Sequence, residues 1–136
     1  MRGLLVVLAA VFMLGHHTNA IAISDEEDAV TCNISASTLV AGWNQCSNGP
    51  FPHNLGVSDI YGEIKFLSTV YSGIGDVFFF NCGTSGQIFV DGWELVSIPT
   101  QNGSGQYQYL INLHVSQINS CVGDQQVNLS VLAVAP

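Results

Sequence analysis

From Tyr107 to Ile118 the chain alternates between two kinds of side chain. Tyr107, Tyr109, Ile111, Leu113 and Val115 fall on one side, Gln108, Asn112, His114 and Ser116 on the other, and Leu110 is the exception. A period of two is the signature of a strand with one face in a core and the other in water. Val127, Leu129, Val131 and Ala133 repeat the pattern between Gln126 and Val134, which turns Asn128 and Ser130 outward. Ile60 to Tyr71 reads as a third such strand, with Ile60, Ile64, Phe66 and Val70 inward beside the small Gly62 and Ser68. Tyr61, Glu63, Lys65, Leu67, Thr69 and Tyr71 then face outward. Beyond the N-terminal apolar segment, no stretch has the i, i+3, i+4, i+7 spacing of an amphipathic helix. Thr31 to Ile34 and Thr38 to Trp43 read as two short strands, and Gln45 to Asn54, with two prolines, as a loop. The expected fold is all-β, an antiparallel β-sandwich of about seven to eight strands with turn signals about every 8–12 residues.

Asp76 to Ile98 alternates least. Two runs rich in β-branched and aromatic residues flank Gly83-Thr84-Ser85-Gly86, which predicts a hairpin with a loop of about four residues. Phe78, Phe79 and Phe80 in a row leave no polar face, so this arm is expected to be a central strand covered on both sides. Gly92 interrupts the other arm and predicts a bulge or tight turn between Asp91 and Trp93.

The N-terminal 1–22 read as a secretory signal peptide: Arg2, the apolar run Leu4 to Leu14, and the small-x-small Ala20-Ile21-Ala22. The run falls short of the roughly 20 apolar residues that span a bilayer, so no membrane insertion is expected after cleavage. Residues 23–30 contain Ser24-Asp25-Glu26-Glu27-Asp28 and read as an acidic, flexible terminus, leaving 31–136 as a single domain. With Arg2 gone, Lys65 alone stands against ten acids, a net charge of −9. One lysine makes no basic patch, which excludes nucleic acid and anionic membrane surfaces as partners.

Four cysteines remain: Cys32, Cys46, Cys82 and Cys121. An even count in a small secreted chain favours two disulfides, with three connectivities open. Cys32–Cys46, a short local loop, and Cys82–Cys121, which would tie the hairpin to the C-terminal strands, are preferred. No Cys-x-x-Cys or His-x-x-x-His spacing supports zinc. Asn33, Asn102 and Asn128 each open an Asn-x-Ser acceptor, so the secreted chain is expected to be a glycoprotein.

Cys32 followed by Trp43 resembles the start of the immunoglobulin pattern and implies a similar sandwich architecture. Its late Tyr-x-Cys is missing, because Phe80 and Asn119 stand two before Cys82 and Cys121. Trp43-Asn44-Gln45-Cys46, with Gly105-Gln106-Tyr107 before a late cysteine, resembles MD-2-related lipid-recognition domains over a handful of positions. That resemblance implies a secreted β-sandwich holding a lipid between its sheets. The central Cys-Pro of that family is absent, which leaves the likeness as a pointer to a functional class.

No Gly-x-Ser-x-Gly or His-Glu-x-x-His is present, and the histidines beyond the leader are His53 and His114. A Ser/His/Asp site on His114, or calcium held by Asp91, Glu94 or Asp76, is weighed against a simpler placement of these residues in water, which the sequence favours. No catalytic residue, metal or cofactor is therefore expected. Trp43 and Trp93 read as core plugs ahead of an exposed surface. The candidate binding residues are Asp91, Trp93 and Glu94 in the expected turn, with Tyr61 and Tyr71 on an outer face. The expected function is extracellular recognition, or a matrix or coat role, by a secreted non-enzymatic protein. The alternatives are a carrier of a hydrophobic small molecule or lipid, and a glycan-binding module.

Overall fold

The computed structural model describes residues 25–71, 75–100 and 106–136; the expected signal peptide and the Asn102 acceptor lie outside them. In chain order the strands are β1 (Asp25–Ile34), β2 (Gly42–Gln45), β3 (Phe51–His53), β4 (Tyr61–Phe66), β5 (Thr69–Tyr71), β6 (Phe78–Cys82), β7 (Gly86–Pro99), β8 (Tyr107–Asn119) and β9 (Gln125–Val134). They make two antiparallel sheets, β1-β9-β4-β5 and β2-β8-β7-β6, with β3 also paired to β8. The chain is all-β and sandwich-like, as its alternation predicts.

The two most cleanly alternating segments are the inner strands of the two sheets. Tyr109, Ile111, Leu113 and Val115 of β8, with Val127, Leu129, Val131 and Ala133 of β9, are all buried, and Ile64, Ile88 and Val90 join them. Burying one such aliphatic side chain contributes about 1.5–3 kcal/mol. Both preferred disulfides are present, Cys32–Cys46 with Cα atoms 4.9 Å apart and Cys82–Cys121 at 5.2 Å.

Four expectations are corrected. The acidic segment is no loose tail: Asp25 to Ile34 pairs along β9, from Asp25 opposite Val134 to Ile34 opposite Gln125. Its acids find donors across the fold. Tyr109 Oη donates to Asp28 Oδ2 at 2.9 Å, Ser130 Oγ to Glu27 Oε1 at 2.8 Å, and the Asn54 amide to Glu26 Oε2 at 2.5 Å. Charge along the chain says nothing of donors supplied from distant strands.

The Phe run is an edge strand, not a central one. β6 alternates in the ordinary way, with Phe78 and Phe80 inward and Phe79 54% exposed. Ile60 to Tyr71 is a hairpin rather than one strand. Phe66 pairs with Thr69 across a two-residue turn in which Leu67 takes a positive φ of 57°. The reversal exchanges the faces, so Val70 is exposed and Tyr71 packs on Phe78 with ring centroids 4.8 Å apart. The expected loop from Gln45 to Asn54 contains β3, three residues paired with the start of β8.

Candidate ligand-binding face

Asp91 is the extra residue in β7. Val90 lies opposite Val115 and Gly92 opposite His114, so Asp91 has no counterpart on β8. This β-bulge changes the parity of the strand. Before it Ile88 and Val90 point inward; after it Trp93 and Leu95 pack against the core, opposite the buried Leu113 and Ile111. Glu94 and Val96 therefore join Asp91 on the outer face of the five-stranded sheet. Of the bulge or tight turn expected at Gly92, the structure has the bulge, and β7 continues through it to Pro99.

Two rows of polar side chains cross that face. In the first, β8 carries His114, whose Nδ1 lies 2.6 Å from Asp91 Oδ1, and β2 carries Trp43 directly opposite His114. The indole meets the imidazole edge-on, ring centroids 5.1 Å apart, and is 45% exposed. In the second row Asn112 Nδ2 donates to Glu94 Oε1 at 2.8 Å, with Gln45 opposite Asn112 on its other side. Neighbouring strands lie about 4.8 Å apart, and rows two residues apart are separated by about 6.8 Å. The result is a shallow platform with one open aromatic ring and two hydrogen-bonded polar pairs. Ser116 Oγ, the nearest strand hydroxyl along β8, donates to the Phe89 carbonyl at 3.3 Å instead of pairing with His114.

The other candidate residues are elsewhere. Trp93 points inward, and its Nε1 donates to the Tyr71 carbonyl at 3.0 Å, stitching β7 to β5 of the opposite sheet. Tyr71 is half-buried and turned toward Phe78. Tyr61 is 67% exposed, but on the outer side of the four-stranded sheet. Asp91 and Glu94 are thus the only two of the five expected residues that this face brings together. Trp43, His114 and Asn112 complete it. The alternation of β8 already placed His114 and Asn112 on a polar face, whereas no signal distinguished Trp43 from Trp93. Of the acceptors, Asn128 is exposed and takes a hydrogen bond from Thr31 Oγ1 at 3.1 Å; Asn33 is half-buried with its Oδ1 shielded. No family model, curated protein or solved structure matches this chain. The chemistry of the face must therefore carry the reading.

Two other features stand out. At the open side of the sandwich, between the edge strands β5 and β6, Phe66, Tyr71, Phe78 and Phe80 line a cleft of about 350 Å³. At one end of the interior, His53 is 1% exposed and stacked beside Tyr107 and Tyr109, with neither ring nitrogen hydrogen-bonded among the described residues. Burial holds its pKa below the ordinary 6.5, against the pull of Glu26 and Asp28 from β1. Burial and the hydrogen bond to Asp28 push the neighbouring Tyr109 hydroxyl upward.

The sign of the His53 effect is fixed by linkage. Between the lowered folded value and 6.5 the unfolded chain binds more protons than the folded one, so stability falls as pH drops through that window. Urea midpoints should be lower at about pH 5.5 than at about pH 7.5. His53→Phe, which keeps the stacking, should flatten that difference. An unchanged pH slope in the variant would show that His53 is not its source.

Proposed function

We propose that this chain is a secreted, non-enzymatic recognition domain that binds glycans on the outer face of its five-stranded sheet. The observation that supports it best is the exposed Trp43 ring beside the Asp91–His114 and Glu94–Asn112 pairs. A sugar offers an apolar C–H face to an aromatic ring and hydroxyls at its rim to carboxylates, amides and imidazole. A binding site of this kind needs a few convergent polar groups around an apolar contact. Two disulfides are compatible with an oxidising, extracellular setting, and the leader and acceptor asparagines agree with secretion and glycosylation.

Binding of the mature chain to a panel of immobilised oligosaccharides tests the reading. At least one glycan class should be retained, and Trp43→Ala should weaken it about 30-fold, or about 2 kcal/mol, as loss of a central aromatic contact does. Equal binding by Trp43→Ala, or no glycan retained, would count against it. The cleft between β5 and β6 favours a second reading, a carrier for an apolar molecule, since its volume lies within the range of small-ligand sites. Native mass spectrometry of protein from its own source would then show a lipid mass, lost in Phe78→Ala.

A further inference from the structure

One member of the Phe run is not used by the core. Phe78 and Phe80 point inward from β6, but Phe79 stands outward on the face of the five-stranded sheet that also carries Trp43. It lies opposite Phe89 of β7, ring centroids 5.8 Å apart, and Gln117 of β8 lies opposite Phe89 in turn. The face therefore has an aromatic station toward each rim, Trp43 on β2 and Phe79 with Phe89 on β6 and β7. The Asp91–His114 pair lies between them, and the Glu94–Asn112 pair flanks the Trp43 row on the far side. Three strand spacings across the sheet and two residues along it put Trp43 and Phe79 about 16 Å apart.

We propose that this face is one extended site for a linear, neutral oligosaccharide laid across the strands, with one ring stacked on Trp43 and a later ring on Phe79 and Phe89. The proposal rests on the glycan reading and adds the length and the charge class of the ligand. The separation of the two stations exceeds the length of a disaccharide, so only a chain can engage both. The polar pairs favour a sugar over a protein partner. Each carboxylate spends one oxygen in its pair, Asp91 Oδ1 and Glu94 Oε1, and the second oxygen can accept from a ligand hydroxyl. A protein surface closing over these acids would strip them of water, a cost that incomplete pairing does not return. Sugar hydroxyls replace that water as donors. Charge narrows the class further. The five strands of this sheet hold two charged residues, Asp91 and Glu94, whereas Lys65, the only base beyond the leader, lies on β4 of the other sheet. A sulfated, sialylated or uronic acid chain would meet repulsion here with no cation to offset it.

Calorimetric titration of the mature, disulfide-bonded chain with β-1,4-linked glucose and N-acetylglucosamine oligosaccharides, from the disaccharide to the hexasaccharide, tests the proposal. Such chains are extended and flat, and their C–H faces suit an aromatic platform. Affinity should rise at least about tenfold from the disaccharide to the hexasaccharide, as a second linked contact adds to the first. Phe79→Ala should abolish that rise, and Phe79→Tyr, which keeps the ring, should preserve it; thermal unfolding of both variants checks that the fold is intact. Trp43→Ala should weaken binding at every length, and a uronic acid hexasaccharide should not bind. Binding that needs Trp43 but is independent of length, or a rise that survives Phe79→Ala, would overturn the extended site and leave the glycan reading standing. Retention of other glycans with none from these two series, or equal affinity for the uronic acid chain, would do the same. No binding by any glycan would remove both.

Discussion

Loss of both disulfides is expected to unfold the domain at physiological temperature. In the chain-entropy account, closing the loop of Cys82–Cys121, residues 39 apart, is worth about 4 kcal/mol, and Cys32–Cys46, 14 apart, about 3 kcal/mol. A domain of this size has about 5–15 kcal/mol in total, so both together are of the order of its whole stability. The structural placement adds to the entropy. Cys32, Cys46 and Cys82 are buried, so each reduced pair leaves thiols packed among core side chains. The paired alanine variant at Cys82 and Cys121 should lose more than the one at Cys32 and Cys46. Urea titrations of the two variants would establish the order; equal losses would point to packing, not loop closure, as the main term.

Gly86→Ala is expected to be severely damaging for a single added methyl group, costing on the order of 3 kcal/mol. Gly86 opens β7 opposite Cys82, just after the turn in which Gly83 takes a positive φ of 69°. A Cβ there would stand 2.6 Å from the Ser120 carbonyl and 2.9 Å from Cys121 Cα, and closer still to the Cys82 carbonyl. All three are backbone atoms, and the Cys82–Cys121 bond prevents the two segments from moving apart. Relief would require the hairpin to open at its turn. The expected readout is a midpoint lowered by about 10–20 °C; an unchanged midpoint would show that the approach of the three segments is looser than the structure describes.

Strands with one face in the core and one in water were legible from their residues: β9 follows the alternation throughout, and β8 as far as Val115, beyond which Ser116 is skipped in the pairing and Ile118 rather than Gln117 packs on the core. Legibility failed where a local device changed the parity. The bulge at Asp91 and the turn at Leu67 each shift the inward set by one position, which moved Trp93 inward and exchanged Val70 for Tyr71. A period-two pattern carries no mark of such a shift unless a glycine stands there, as Gly92 does and as Leu67 does not. The Phe run misled for another reason. Edge and central strands differ in what pairs with them, and three consecutive aromatics look alike in both until the strand order is known. The pairing of the acidic N-terminus leaves no local mark in the sequence because its hydrogen-bond donors, Asn54, Tyr109 and Ser130, are remote along the chain. The candidate face was half legible: the polar side of β8 announced His114 and Asn112, and the bulge supplied Asp91 and Glu94. Trp43 belonged to it only once β2 was seen to pair with β8.

The proposed recognition of a ligand at Trp43 on the outer face has a direct test in the two tryptophans. Their indole N–H groups give two separate signals in a nitrogen–proton correlation spectrum. Trp93 Nε1 is tied to the Tyr71 carbonyl, whereas Trp43 is open to solvent. Titration with a glycan retained by the mature chain should shift the Trp43 indole signal and the Asn112 side-chain amide signal while leaving the Trp93 indole in place. A glycan that binds while moving the Trp93 indole and leaving Trp43 unperturbed would contradict the account.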